Sequence, residues 1–114
     1  MAEDLESITF VSESSSTDED AAKAAVEEGI NVAKGLFLTK DIVNAPHNVL
    51  NSISLANAAK KIASDSTDGT ITCKILGKAE CEKRGMGAYL GVARGSETDP
   101  QFIHLTYKGK GEIK

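Results

Sequence analysis

The two histidines and two cysteines of this sequence are its first candidates for chemistry, and their spacing does not assemble a metal site. His47 follows a predicted helix end, where we expect a polar loop residue. His104 lies in an apolar strand, where a hydrogen-bonded core histidine is the commoner outcome. No His-x-x-x-His or His-x-Glu spacing occurs. Cys73 and Cys81 lack the spacing of a zinc knuckle or a redox pair, so we expect two reduced thiols in a cytosol-like compartment.

Three glycine-containing stretches resemble phosphate- or anion-binding loops only in part. Residues 85–91 (Gly-x-Gly-x-x-x-Gly) do not match the dinucleotide-binding fingerprint, and residues 109–111 (Gly-Lys-Gly) lack the Ser or Thr of a phosphate loop. Residues 94–96 (Arg-Gly-Ser) could accept an anion, although an ordinary turn is the commoner role. Spacing alone therefore predicts a soluble α/β chain with no catalytic, cofactor-binding or metal-binding residue of its own.

A long helix predicted over residues 17–45 is the main element that would position these groups. Ser16 with Glu19 forms a capping-box pattern, and the pair one residue later offers the same device. Acidic residues follow in the first turn, where the helix dipole favours them. Pro46 disfavours the helical conformation for the residue before it, so the helix should end near Asn44.

Two apolar stripes run along this helix and predict that its C-terminal half is buried on more than one side. At ~1.5 Å per residue the helix spans roughly 40 Å, more than a domain of this size needs, so we expect it to connect two bodies. Gly29 and Gly35 each weaken a helix by roughly 1 kcal/mol relative to Ala, which close approach of another backbone would explain. The first stripe comprises Val26, Ile30, Ala33 and Phe37, and the second comprises Val32, Leu36, Leu38, Ile42 and Val43.

Shorter helices and strands lie on either side of the long helix. Alternating helices and strands predict an α/β sheet with crossover connections. Because two strands do not make a stable open sheet, we expect further strands beyond Lys114. The predicted elements are a strand at 7–11, a helix capped by Asn51 with Leu55, Ala59 and Ile62 on one face, a half-buried strand at 70–76, a short helix at 78–84 ended by Gly85, a helix or buried strand at 86–93, and a strand buried on both faces at 101–107.

The composition argues against a membrane or a nucleic acid as a binding partner. The 114 residues allow one small domain with a modest core. No apolar run approaches the ~20 residues of a membrane span, and no signal-peptide pattern is present, so we expect no membrane partner. Residues 1–28 hold nine acidic residues and one Lys, a balance of −8, whereas residues 29–114 hold eight acidic and twelve basic residues, a balance of +4. The acidic start and the scattered basic residues argue against a nucleic-acid partner.

An ordered set of motifs resembles the leucyl aminopeptidase family of two-metal peptidases, with wording nearest to its plant and algal branch. Residues 40–50 read Lys-Asp-Ile-Val-Asn-Ala-Pro-His-Asn-Val-Leu, residues 83–92 read Lys-Arg-Gly-Met-Gly-Ala-Tyr-Leu-Gly-Val, and residues 102–107 read Phe-Ile-His-Leu-Thr-Tyr. The resemblance covers about Ser7 to Lys114. Where the family commonly has Thr-Pro, this sequence has Asn51-Ser52, which we expect to be neutral for the fold because Asn caps a helix as well as Thr.

The resemblance implies an incomplete α/β chain, in which a long linking helix precedes the first helices and strands of a mixed-sheet α/β/α peptidase domain. Residues 1–16 would end an N-terminal domain and linker, 17–45 would form the interdomain helix, and 46–114 would begin the catalytic domain. The family's metal-binding Lys and Asp lie in a Gly-Lys-Gly-x-x-x-Asp-x-Gly-Gly motif, which we expect after Lys114. Residues 109–114 imitate only its start, so no catalytic or metal-binding residue carries over to this chain.

For the whole protein, the resemblance implies a hexameric metalloaminopeptidase that hydrolyses N-terminal residues from peptides. Two divalent ions, zinc or manganese, would activate a water and polarise the scissile carbonyl. We expect a cytoplasmic location, or a plastid one if a transit peptide has been removed. This segment would be structural and inactive alone. The alternative is a truncated, non-catalytic relative that acts as an assembly or regulatory subunit.

Overall fold

The computed structural model describes residues 7–11, 18–66 and 69–109, which contain four helices and two strands. These residues fall into two compact units, one ending at Lys40 and the other beginning at Asp41. The proposed division at residues 16 and 45 stays a prediction. The elements are α1 (Glu19–Asn44), α2 (Ser52–Asp65), β1 (Ile71–Leu76), α3 (Lys78–Lys83), α4 (Gly87–Ala93) and β2 (Phe102–Tyr107). The fold class expected from the sequence is confirmed: a long helix leads into an incomplete α/β arrangement.

Asp18 caps the N-terminus of α1. Its Oδ1 accepts hydrogen bonds from the backbone N–H groups of Asp20 at 3.1 Å and Ala21 at 3.2 Å, which are otherwise unpaired in the first turn. The predicted caps, Ser16 and Thr17, lie outside the described residues. Glu19 pairs its carboxylate with the ammonium of Lys23 at 2.9 Å.

The predicted stop of α1 is confirmed. The helix ends at Asn44, and the N–H of Ala45 still donates to the carbonyl of Asp41 at 3.1 Å. The carbonyl of Pro46 then accepts from the N–H groups of Val49 and Leu50, both at 2.9 Å, and this closes a turn. Proline therefore ends one element and organises the connection to the next.

No residue of α1 is buried by the described part of the chain, so these residues do not supply the two-sided cover predicted for its C-terminal half. Ile30 is 49% exposed, Leu36 57% and Phe37 64%. A Cβ placed on Gly29 or Gly35 would meet no atom within 4 Å, so the predicted close backbone approach is also absent from the described residues. The apolar stripes exist in sequence, but their covering partner is not among these residues.

Residues 7–11 do not form the predicted strand. Their backbone has no regular secondary structure, and Ile8, Phe10 and Val11 are exposed. Alternating apolar and polar residues favour an extended segment, but a strand also needs a second segment of chain to exchange backbone hydrogen bonds with it. The described residues provide no such partner here.

The second unit is built on an antiparallel pair of strands, β1 and β2. Ile71 lies opposite Tyr107 and Leu76 opposite Phe102, so the whole of each strand is paired. The connection through α3 and α4 is therefore not the crossover between parallel strands that the alternation of elements predicts. Helix α2 packs against both strands. The buried hydrophobic core of the described residues is small and consists of Ala56, Ala59, Leu76 and Cys81.

Apolar residues lie on both faces of the sheet, because Leu76 and Phe102 share a face with Thr72 and Lys74. Along β1, Ile71, Cys73 and Ile75 are half-buried and alternate with exposed Thr72 and Lys74, which confirms the predicted alternation. Along β2, His104 and Leu105 are exposed, so the expectation of a strand buried on both faces is wrong for the described residues. Leu76 is buried at the end of the sheet where it lies opposite Phe102, whereas His104 and Leu105 remain open to solvent.

Candidate functional site

The N-terminus of α2 is fixed by a complete capping box. Asn51 Oδ1 accepts from the N–H groups of Ile53 and Ser54, each at 3.0 Å, and Ser54 Oγ accepts from the N–H of Asn51 at 2.8 Å. This arrangement satisfies otherwise unpaired donors of the first turn and confirms the predicted cap. It also places Ser52 at the first helical position.

Ser52 ties this helix to the loop that follows α4. Its Oγ donates to the backbone carbonyl of Asp99 at 2.7 Å and lies 2.9 Å from Thr98 Oγ1. A hydroxyl carries one proton, so Thr98 donates to Ser52. Ser96 Oγ then donates to Thr98 Oγ1 at 3.2 Å and accepts from the Thr98 N–H at 3.2 Å. The Ser52 hydroxyl therefore connects positions 46 residues apart.

Removing this hydroxyl should loosen the loop. We expect Ser52→Ala to lower the free energy of unfolding by about 1–3 kcal/mol, because two hydrogen bonds of roughly 0.5–1.5 kcal/mol each are lost. Urea unfolding at one fixed protein concentration measures the change. Ser64→Ala is the matched control, since Ser64 Oγ donates only to the Lys61 carbonyl within α2. Equal losses in the two variants would contradict the role assigned to Ser52.

An open cleft of ≈ 510 Å³ lies beside the same loop, between α3, α4 and residues 94–100. Four charged side chains line it: Lys78, Glu82, Arg94 and Asp99. Sequence reasoning missed this grouping. No period or spacing joins residues on a short helix to residues in a loop after the next helix.

An aromatic pair and a buried thiol lie in the same unit of the chain. Tyr89 and Phe102 pack edge to face, with ring centroids 5.7 Å apart at 87°. Partial burial of the Tyr89 phenol raises its pKa above the usual value, and the nearby Cys81 raises it further. Cys81 is fully buried, and its Sγ lies 3.6 Å from the Leu76 carbonyl oxygen.

The histidines and Cys73 do not converge on one place. His47 is exposed and lines a shallow surface depression with Asn51 and Glu97. His104 is exposed on β2, with its Nε2 3.4 Å from Thr106 Oγ1, so the expected core position is wrong. Cys73 is half-buried on β1 and is a free thiol, as is Cys81. These residues therefore offer no shared chemistry.

Residues 85–96, which include two of the three glycine-containing stretches, form a helix end, a helix and a turn. Gly85 ends α3 with φ of 68°, a left-handed conformation that glycine adopts without strain, and this confirms the predicted stop. Residues 86–93, left open between helix and strand, contain helix α4. Residues 94–96 form a turn in which the Ser96 N–H donates to the Ala93 carbonyl at 3.1 Å. Of residues 109–111, only the first is among the described residues.

The described residues do not fit a metal ion. Within 7–11, 18–66 and 69–109, no group of three or more His, Cys, Asp or Glu side chains is placed to hold one. No helix in that same part of the chain is long and apolar enough to cross a bilayer. We therefore derive no chemical step through a metal from these residues.

The amino-acid sequence from residue 37 onward matches one peptidase family. The profile of the cytosol aminopeptidase family, catalytic domain, matches residues 37–114, which is more than half of the chain. This chain belongs to the cytosol aminopeptidase family. The resemblance drawn from the motifs is thereby confirmed, and the likeness to plant and algal members stays a prediction.

Three similar proteins are each described as a probable cytosol aminopeptidase. A probable cytosol aminopeptidase of Prochlorococcus marinus is 42% identical over 95 residues, which is 83% of this chain and 19% of that protein. One from Gloeobacter violaceus is 48% identical over 85 residues, 75% of this chain and 16% of that protein. One from Acaryochloris marina is 46% identical over 88 residues, 77% of this chain and 17% of that protein. The chain thus spans less than a fifth of the length of these relatives.

Proposed function

We propose that this chain supplies the linking helix and the first layer of the catalytic domain to a leucyl aminopeptidase that hydrolyses N-terminal residues from peptides. The observation that carries the proposal is the match of residues 37–114 to the catalytic domain of the family. The confirmed helix stop at Asn44 and the capped α2 support it, because both follow from motifs that the resemblance uses. In this proposal the segment is structural and inactive by itself.

The two divalent ions, zinc or manganese, belong in this proposal to the complete enzyme. Their ligands are assigned to residues other than those described here, which offer no suitable group. When bound, such ions supply an activated water and polarise the scissile carbonyl. The contribution of the present residues is to fold and to hold neighbouring layers in place.

The complete enzyme would act on peptides, assemble as a homo-oligomer, a hexamer as in the family, and have no membrane or nucleic-acid partner. A cytoplasmic location is proposed, with a plastid location if a transit peptide has been removed. Each of these rests on the family membership rather than on a contact in this chain. The alternative, a non-catalytic assembly or regulatory subunit, is distinguished by the experiment that follows.

A chimera tests the structural role directly. Residues 37–114 replace the matching segment of the Gloeobacter violaceus relative, and hydrolysis of leucine p-nitroanilide is measured with Mn²⁺ or Zn²⁺. We expect kcat/KM to stay within about tenfold of the unaltered relative, a change of about 1.4 kcal/mol in transition-state stabilisation. The isolated chain should show no metal-dependent turnover.

Two controls make the chimera decisive. The same relative with the segment deleted should be inactive, and a chimera carrying Leu76→Arg should be inactive because a charge replaces a buried side chain. A chimera that assembles normally but lacks activity would contradict the enzyme role and favour a non-catalytic subunit. Metal-dependent turnover by the pure isolated chain would contradict the inactive, structural role.

A further inference from the structure

The cleft beside the 94–100 loop carries two cations and two anions on its walls. Lys78 and Glu82 come from α3, Arg94 from the end of α4, and Asp99 from the loop itself. Its ≈ 510 Å³ falls within the range of small-molecule sites, about 300–1,000 Å³. We propose that this cleft binds a zwitterion, namely a free α-amino acid or a very short peptide.

The four charges are available to a ligand. The ion pairs of the described residues all lie elsewhere, at Lys23–Glu19, Lys61–Asp65 and Arg84–Glu80. Lys78 and Glu82 are four residues apart on one helix, a spacing that permits an ion pair, yet they do not form one. Arg94 and the Asp99 carboxylate likewise have no partner in the described part of the chain.

The balance of charge selects the class of ligand. A simple anion attracted by Lys78 and Arg94 would also face two carboxylates, and a simple cation would also face two cationic side chains. A zwitterion satisfies both sets, with its carboxylate on the planar guanidinium of Arg94 and its ammonium on a carboxylate. The apolar parts of Leu90 and Pro100 line the same cleft and can contact a small aliphatic side chain.

The walls are held in place before any ligand arrives. Ser52 Oγ fixes the Asp99 carbonyl at 2.7 Å, which anchors the backbone that carries the Asp99 carboxylate. At the end of α3, the Gly85 N–H donates to the Glu82 carbonyl at 3.0 Å and the Met86 N–H to the Cys81 carbonyl at 3.1 Å. Such preorganisation lowers the ordering cost of binding. The site does not depend on the proposed function, since it involves no catalytic step.

Titration of the ¹⁵N-labelled 114-residue chain tests the proposal. The probes are L-leucine, L-leucyl-L-leucine, L-leucinamide, which lacks the carboxylate, and N-acetyl-L-leucine, which lacks the ammonium. Because exposed charge pairs are individually weak, we expect a dissociation constant on the order of 1–10 mM for the better zwitterion. Saturable shifts should centre on the amides of Gly87, Ser96 and Asp99. Each truncated analogue should bind at least about tenfold more weakly.

Leucine and dileucine distinguish the two sources of a zwitterion. Tighter leucine binding assigns the site to free amino acids, and tighter dileucine binding assigns it to short peptides. No saturable shift with either probe up to about 50 mM, roughly fivefold above the upper end of the expected range, overturns the proposal. Equal binding of leucine and either truncated analogue overturns it as well.

Variants locate the site. Arg94→Gln and Asp99→Asn should each weaken binding by about fivefold or more, since each removes a charge that a ligand would contact. Lys83→Gln and Glu97→Gln are the matched controls, because both side chains are exposed and neither lines this cleft. An unchanged amide spectrum outside the cleft shows that each variant is folded. If Lys78→Gln, Arg94→Gln and Asp99→Asn all bind like the controls, the shifts arise elsewhere and the assignment fails.

Discussion

At micromolar concentration the 114-residue chain is expected to self-associate through the exposed apolar residues of α1, which include Ile30, Leu36 and Phe37. The described residues cover the apolar residues of α1 only in part, and Ile30, Leu36 and Phe37 remain about half exposed or more. Burying one large apolar side chain contributes roughly 1.5–3 kcal/mol, so several exposed together favour association strongly. Sedimentation equilibrium at several loading concentrations measures the effect.

A triple variant tests whether α1 is the associating surface. Ile30→Gln, Leu36→Gln and Phe37→Gln together should raise the dissociation constant at least about a hundredfold, because about 2.7 kcal/mol or more of burial is lost. The matched control changes three exposed polar residues, Asp20→Asn, Glu28→Gln and Asn31→Gln, which the helical period places on another side. A compact monomer before any substitution, or equal effects of the two triple variants, would refute this prediction.

Sequence alone predicted the elements whose causes are local. The stop at Asn44 follows from the proline two residues later, the start of α2 from the cap at Asn51, and the end of α3 from Gly85. Each depends on hydrogen bonds or dihedral angles within about four residues. The alternation along β1 was equally readable, since one buried face suffices to produce it.

Features that need a distant partner were not predictable. The alternation at residues 7–11 is typical of a strand, but it does not indicate whether another segment of the chain pairs with it. His104 was placed in a core because its neighbours in sequence are apolar, whereas the second covering layer is missing from the described residues. The Ser52 hydrogen bond and the charged cleft each bring together residues that are far apart in the sequence. No spacing of residue types along the sequence indicates either of them.

The N-terminal cap of α1 shows that the first residue of a helix is hard to predict from the sequence. Ser16, Thr17 and Asp18 are three consecutive residues whose side chains can all cap a helix, and each implies a start shifted by one position. The structure uses the aspartate, whose negative charge is also favoured by the helix dipole. Propensity alone ranks these candidates almost equally, so boundaries are less predictable than the existence of the helix.

The core of the second unit is so small that one side chain should decide its stability. Leu76 is 8% exposed and is one of the few buried residues of the described chain, the others being two alanines and Cys81. Truncating a buried leucine to alanine costs about 2–5 kcal/mol, while small domains have a total stability of about 5–15 kcal/mol. We expect Leu76→Ala to lower Tm by about 10 °C or more, and at the upper end to unfold the unit at room temperature.

Leu105→Ala provides the matched control for this effect, since it makes the same chemical change on the neighbouring strand. Leu105 is 42% exposed, so it loses less buried surface, and we expect a destabilisation below about 1.5 kcal/mol. Both variants are compared by circular dichroism in the α1 triple-variant background, because self-association would otherwise raise the apparent Tm. If the two substitutions lower Tm equally, the stability of the unit does not depend on the cluster around Leu76 and Cys81. A larger loss at Leu76 would show that these few side chains, closed off by α2 and α3, hold the strands against the helices.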